Sequence, residues 1–131
     1  MKIYLAGPMR GIPHFNFPAF HEATAKLRAA GHIVFSPAER DIQATGVDIS
    51  ADNPTGDNDQ AEATHGFNLR EALKDDLVFI CLEADAIALL PGWENSKGVA
   101  AERAAAIALG LEVAPVSSFA SHDSNRGDAQ S

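Results

Sequence analysis

A glutamate, Glu102, lies in the alanine-rich run AAERAAAIA, six residues after the serine of PGWENSKG. Small neighbours on both sides leave room for a ligand directly above its carboxylate. Ser96, Lys97 and Gly98 would put a hydroxyl, an ammonium and unobstructed N–H groups at a helix N-terminus, where orphan donors and the helix dipole favour an anion. Plainer accounts exist: Asn95 or Ser96 as an ordinary N-cap, and Glu102 on a solvated helix face. A second loop, GPMRG, joins Gly7 and Gly11 to Arg10, a side chain able to grip phosphate or carboxylate. It fits neither a G-x-G-x-x-G nor a Walker pattern, and a tight turn with a solvent-facing arginine is its plain alternative. Asp75 and Asp76 sit side by side in NLREALKDDLVFICLEA, where with Lys74 they could equally form a solvated face. Trp93 suits either an aromatic wall for a base or a packing plug. His14, His21, His32 and His65 lack metal-ligand spacing, and one cysteine, Cys81, gives neither a disulfide framework nor a zinc cluster. No metal or other cofactor is expected.

The elements that must carry these residues alternate along the chain. Lys2–Ala6 (KIYLA) predicts a strand closed by Gly7-Pro8. Phe17, Phe20, Thr24 and Leu27 recur at helical spacing, with Asn16 and Pro18 as start signals and Gly31 as a stop. His32–Phe35 predicts a second strand ended by Ser36-Pro37, which completes a right-handed βαβ unit. Residues 41–66 are polar and aperiodic and predict a long surface loop. A helix from Asn68, a third strand AIALL, a helix from about Ser96 to Gly110 and a fourth strand LEVAPV follow. The pattern predicts one three-layer, doubly wound α/β domain over 1–117, flavodoxin- or Rossmann-like. Its parallel sheet would have 4–5 strands in the order 2-1-3-4-5, with residues 118–131 as a flexible tail. In that order the ends of strands 1 and 3 flank the switch point, so GPMRG and PGWENSKG would share one crevice.

Composition narrows the partner. The 131 residues carry 18 acids against 10 Lys+Arg, a formal charge of −8, which disfavours a nucleic-acid polymer. A small phosphorylated ligand needs only local donors and is not excluded. No apolar stretch approaches the roughly 18–20 residues of a membrane span, and MKIYLAGP has no signal-peptide character. A soluble cytoplasmic protein without a membrane partner is expected.

MKIYLAGPMRG, LPGWENSKG and AAE together resemble the nucleoside 2-deoxyribosyltransferase-like superfamily, and within it a largely uncharacterised branch with an LPGWENSKGA-type loop. The chain is also similar to the 2′-deoxynucleoside 5′-monophosphate N-glycosidases, whose Tyr-x-x-Gly-x-x-Arg-Gly and Ser-x-Gly-x-x-x-Glu patterns read here as Tyr4, Gly7, Arg10, Gly11 and Ser96, Gly98, Glu102. The resemblance covers about 2–40 and 68–116. It implies that Glu102 is the nucleophile toward an anomeric carbon, Tyr4 its orienting partner, and Asp76 the acid for the leaving base. It further implies that Arg10, Ser96 and Gly98 hold a 5′-phosphate, and that the protein is a homodimer or larger. Two departures stand out: Pro8 follows the first glycine where the glycosidases have a small residue, and the Asp76-to-Asp85 spacing is one residue longer, which keeps Asp75 open as the acid. The expected activity is cleavage of a (deoxy)nucleoside 5′-monophosphate by hydrolysis or base exchange. A nucleotide-sequestering module and an NAD-cleaving enzyme are the alternatives, since the fold alone does not choose among them.

Overall fold

The computed structural model describes residues 1–120. Among them, strands β1 (Lys2–Ala6), β2 (Ile33–Phe35), β3 (Ala86–Leu89) and β4 (Glu112–Pro115) form one parallel sheet in the order β2-β1-β3-β4. This is the doubly wound order expected from strand–helix alternation, with four strands. β1 lies between two neighbours and pairs Tyr4 with Phe35 on one side and with Ile87 on the other. A strand covered on both faces must be apolar throughout, and Ile3 through Ala6 are all fully buried.

Alternation of side chains along the strands divides the interior into two parts. Ile3, Leu5, Ala86 and Ala88 face helix α1 (Phe17–Ala29), whose Phe17, Phe20, Ala23 and Leu27 supply the buried stripe. Tyr4, Ala6, Ile87 and Leu89 face helices α4 (Leu69–Leu82) and α5 (Lys97–Ala108), which contribute Ile80, Val99 and Ala106. Asn68 caps α4 by accepting from the Glu71 N–H at 3.0 Å. Asn16 occupies the N-cap position of α1 but makes no cap; its side-chain amide donates to the Pro8 carbonyl at 3.1 Å instead. His14, Phe15 and Asn16 all have positive φ, a left-handed turn that folds the β1 loop back onto α1.

Residues 41–66 differ from the predicted loop. Helix α2 (Pro37–Thr45) enters them from Ser36-Pro37, and helix α3 (Asn58–His65) occupies their second half. The Asp57 carboxylate caps α3 by accepting from the Asp59 and Gln60 N–H groups. Between the helices, Asn53 is 1% exposed and bonds Asp57 with both ends of its amide. The segment is then stitched to the β1 loop through Gly11 N–H to the Gly56 carbonyl and His14 N–H to the Asn53 carbonyl. A Cβ on Gly56 would lie 2.3 Å from the Ile12 carbonyl oxygen, so this contact needs glycine. Polar side chains here order the backbone by local hydrogen bonds, which leave no hydrophobic period to read.

The first residues of the predicted tail, 118–120, are helical. Helix α6 (Ser117–Ala120) buries Phe119 with its ring edge-on to His32, whose Nε2 lies 3.1 Å from the Phe119 carbonyl oxygen. The rest of the predicted tail, 121–131, lies outside the described residues. No helix among the described residues is long and apolar enough to cross a membrane.

Candidate active site

A cavity of about 380 Å³ opens at the C-terminal ends of β1 and β3, where the strand order reverses. It gathers most of the residues singled out from the sequence. Tyr4 reaches it from β1, Gly7 and Arg10 from the loop that follows, and Asp76 from α4. Ser96, Gly98 and Glu102 reach it from the start of α5. Gly7 lets the chain turn against Leu90, since a Cβ there would meet the Leu90 Cβ at 2.8 Å. Gly98 has the opposite character: a Cβ there would find only the Ser96 Oγ, at 3.8 Å, so the position is uncrowded where it lines the cavity.

At the floor of the cavity the Tyr4 hydroxyl donates to Glu102 Oε2 at 2.8 Å, and both side chains are buried. The geometry follows from the fold: an inward-facing position of the central strand meets the second turn of α5, where alanines allow close approach. Burial is the largest cause that raises the Glu102 pKa well above the ordinary carboxyl range; the neighbouring Asp76 charge adds to it, and the Tyr4 hydrogen bond opposes it. Burial likewise raises the Tyr4 hydroxyl well above 10, reinforced by Glu102 and Asp76, so Tyr4 stays a neutral donor. Asp76 is 7% exposed, and its Oδ1 has no hydrogen-bond partner. Burial raises it to about 6, with proximity to Tyr4 and Glu102 and the charge of Arg40 partly opposing. Glu102 and Asp76 are thus two carboxyls in one buried site whose titrations are linked, so the protons they hold belong to the pair.

Asp75 lies elsewhere. It forms an ion pair with Arg40 at 2.9 Å on the outer side of α4, does not line the cavity, and is held below the ordinary carboxylate range by that contact. Of the two adjacent aspartates, Asp76 is therefore the one presented to the cavity.

The Ser96–Gly98 loop shows its N-cap reading and leaves the anion reading open. Ser96 is the N-cap of α5, its Oγ accepting from the Val99 N–H at 3.2 Å, while its hydroxyl proton stays available to a ligand beside the Lys97 and Gly98 N–H groups. Two predicted residues stand outside the cavity. The Gly11 N–H is taken up by Gly56, and its φ of 76° suits the turn. Trp93 packs against the core beneath α5 with the Arg103 guanidinium 5.2 Å above its ring. Its role as a plug accounts for what it touches.

The cavity also has a wall that the sequence reading did not foresee. Asp41 from α2, Ile49 and Asn58 line it, all from the segment read as a loop. Asp41 is 4% exposed and pairs with Arg40 at 3.0 Å, yet burial carries its carboxyl up to about 7. Ser36-Pro37 with Glu39 in the first turn, and Gly46 as a stop, were the available signals for α2; nothing in a polar stretch marks which aspartate turns inward.

No curated protein and no solved structure matches the chain. A family model does match, over residues 1–115, and its description is a domain of unknown function, DUF4406. Since that match spans residues 1–115, taking in the sheet and the Tyr4–Glu102–Asp76 group, the chain belongs to the DUF4406 family.

Proposed function

We propose that this protein cleaves the N-glycosidic bond of a (deoxy)nucleoside 5′-monophosphate. The observation that carries the reading is the Tyr4–Glu102 hydrogen bond at 2.8 Å, set beside an unpartnered Asp76 oxygen in one cavity. Glycosidic cleavage needs one ionised carboxylate below the sugar and one protonated carboxyl at the leaving group. The pair's shared proton meets both needs when it resides on Asp76. Burial raises Glu102 further than Asp76 when no sugar is bound, so it is the positive charge developing on the sugar, added to the Tyr4 hydrogen bond, that moves the proton to Asp76.

In the first step a Glu102 carboxylate oxygen bonds to the anomeric carbon as the C–N bond breaks, and the departing base takes the Asp76 proton. In the second, water or an incoming base gives a proton to Asp76 and displaces Glu102, which restores both carboxyls. The phosphate is held by the start of α5 together with Arg10, whose guanidinium can grip two oxygens at once. A neighbouring copy of the chain completing the site is part of the same reading.

Incubation of the protein with nucleosides, nucleoside 5′-monophosphates and NAD, followed by chromatography of the released base, tests the proposal. Release of base with monophosphates preferred over nucleosides is the expected result. Arg10→Ala should reduce kcat/KM for the monophosphate more than for the nucleoside. Release of nicotinamide alone, or binding without release of any base, would overturn the reading.

A further inference from the structure

Glu102, Tyr4 and Asp76 are used by the chemistry just described, and Arg10, Ser96 and Gly98 by the anion. Asp41 is a buried carboxylate in the same cavity that neither task uses. Its Oδ1 is held by the Arg40 guanidinium at 3.0 Å, and Arg40, itself 11% exposed, is anchored at its other end to Asp75 at 2.9 Å. The Oδ2 atom accepts no hydrogen bond among the described residues. A carboxylate fixed in place with one oxygen unoccupied is an acceptor awaiting a donor.

The sheet order says which part of the substrate it would meet. α5 and its anion-binding start follow β3, on one side of β1, whereas α2 follows β2, on the other. Tyr4 and Glu102 meet above β1, and Asp76 stands close enough to Asp41 for its charge to raise the Asp41 carboxyl. A monophosphate with its phosphate at α5 and its anomeric carbon at Glu102 extends its base past Asp76 toward α2.

Resting on the glycosidase reading above, we infer that Asp41 selects the leaving base, its unoccupied oxygen accepting a hydrogen bond from an exocyclic amino group on the base edge farthest from the sugar. An amino group supplies the N–H donor; a ring carbonyl or a bare C–H at that position leaves the buried carboxylate unpaired. Loss of a hydrogen bond to a charged group corresponds to about 10–100-fold in affinity. Arg40 is a positioning residue here, acting through Asp41.

The test pairs substrates that differ only in that group: the 2′-deoxyribonucleoside 5′-monophosphates of adenine and of unsubstituted purine, and those of cytosine and its 4-deamino analogue. In wild type, kcat/KM should favour the amino member of at least one pair by roughly tenfold or more. In Asp41→Asn, which keeps shape but turns a donor toward the base, that ratio should collapse toward unity. A wild type indifferent to the amino group in both pairs overturns the inference without any variant having to fold. An equal loss on both members in Asp41→Asn also overturns it. Dissociation constants for the same four nucleotides, measured with Glu102→Gln and with Glu102→Gln/Asp41→Asn, separate the two claims. An Asp41-dependent amino preference in binding, with no base release by wild type, supports Asp41 as the selector and removes the glycosidase reading. Absence of binding by all four removes both.

Discussion

The two faces of the sheet are built from the same strands and obey different rules. On the α1 face, Ile3, Leu5, Phe17, Phe20 and Leu27 pack with aliphatic and aromatic neighbours. On the α4–α5 face, the same register delivers Tyr4 to a glutamate, with a buried aspartate beside it whose oxygen has no partner. Burial of such groups is unfavourable, and both carboxyls show it in raised pKa values. The α1 face buries one unpartnered hydroxyl, that of Thr24, among apolar side chains, whereas the other face gathers titratable groups that packing would discard. Polar groups held against their own solvation, gathered at a topological switch point, are why the proposed chemistry is assigned to this face.

The sharpest way to break this contrast is to substitute one residue on each face. Glu102→Gln should lower kcat for base release by several orders of magnitude, as expected for removal of a nucleophile. Its melting temperature should hold or rise at neutral pH, because the amide carries no ionisation to bury. Phe20→Ala on the opposite face should do the reverse, costing about 3–5 kcal/mol of stability while any folded fraction keeps its specific activity. Activity measured alongside thermal melts would decide it; a Glu102→Gln protein retaining a tenth of wild-type turnover removes Glu102 from the chemistry.

Asp76→Asn comes next. A general acid contributes roughly 10²–10⁴-fold, most for poor leaving groups, so the loss should shrink as the base becomes easier to expel. The pH profile supplies a second readout. Wild type should gain kcat/KM as pH rises through about 6, where the pair passes from two protons to one, and lose it at high pH as the last proton leaves. In Asp76→Asn the alkaline limb should vanish. A uniform loss across leaving groups with an unchanged profile would make Asp76 a structural residue.

These expectations also show what could be read from the chain before it was folded. The strands, α1, α4 and α5 were legible because burial on one or both faces writes a period into the sequence, as in Phe17, Phe20, Thr24 and Leu27. That Glu102, Tyr4 and Asp76 would meet in one crevice was legible through the resemblance carried by Tyr4-x-x-Gly7 and Ser96-x-Gly98-x-x-x-Glu102, although the choice of Asp76 over Asp75 required knowing that Asp75 pairs with Arg40 and does not line the cavity. The segment 41–66 was not legible. Its order comes from Asn53, Asp57 and Gly56 bonding the backbone at particular distances, which polar composition cannot distinguish from a solvated loop. Trp93 was open between a base wall and a packing plug; it packs against the core under the Arg103 guanidinium of α5.

The two faces should also differ in how stability responds to pH. Asp41 titrates at about 7 in the folded chain and the Asp76–Glu102 pair releases its first proton at about 6, against 3.8 for an unperturbed aspartate. Between those limits the folded chain holds protons that the unfolded chain has released, so stability must fall as pH rises through that window. Their contribution is complete below about pH 4 and is progressively lost up to about pH 7, on the order of a few kcal/mol for the two together. Urea midpoints between pH 4.5 and 7.5 should therefore decline in wild type and decline less in Asp41→Asn and in Asp76→Asn. Phe20→Ala should shift the whole curve downward without changing its slope. Parallel slopes in wild type and both Asn variants would show that the carboxyls are hydrated in solution.

The smallest expected effect separates the two tasks of Ser96. As the N-cap of α5, its Oγ accepts from Val99, and removal of such a cap costs about 0.5–2 kcal/mol. As a ligand donor, its hydroxyl proton would add one hydrogen bond to a phosphate. Ser96→Ala loses both functions. Ser96→Gly is nearly as good a cap, within a few tenths of a kcal/mol, but has no hydroxyl to donate. Ser96→Ala should therefore lower the melting temperature and weaken monophosphate use, whereas Ser96→Gly should keep stability close to wild type and still weaken it. The comparison requires melting curves and the ratio of kcat/KM for monophosphate to that for nucleoside. If Ser96→Gly retains the wild-type ratio, Ser96 is a cap alone, and the anion would rest on Arg10 and the N–H groups of Lys97 and Gly98.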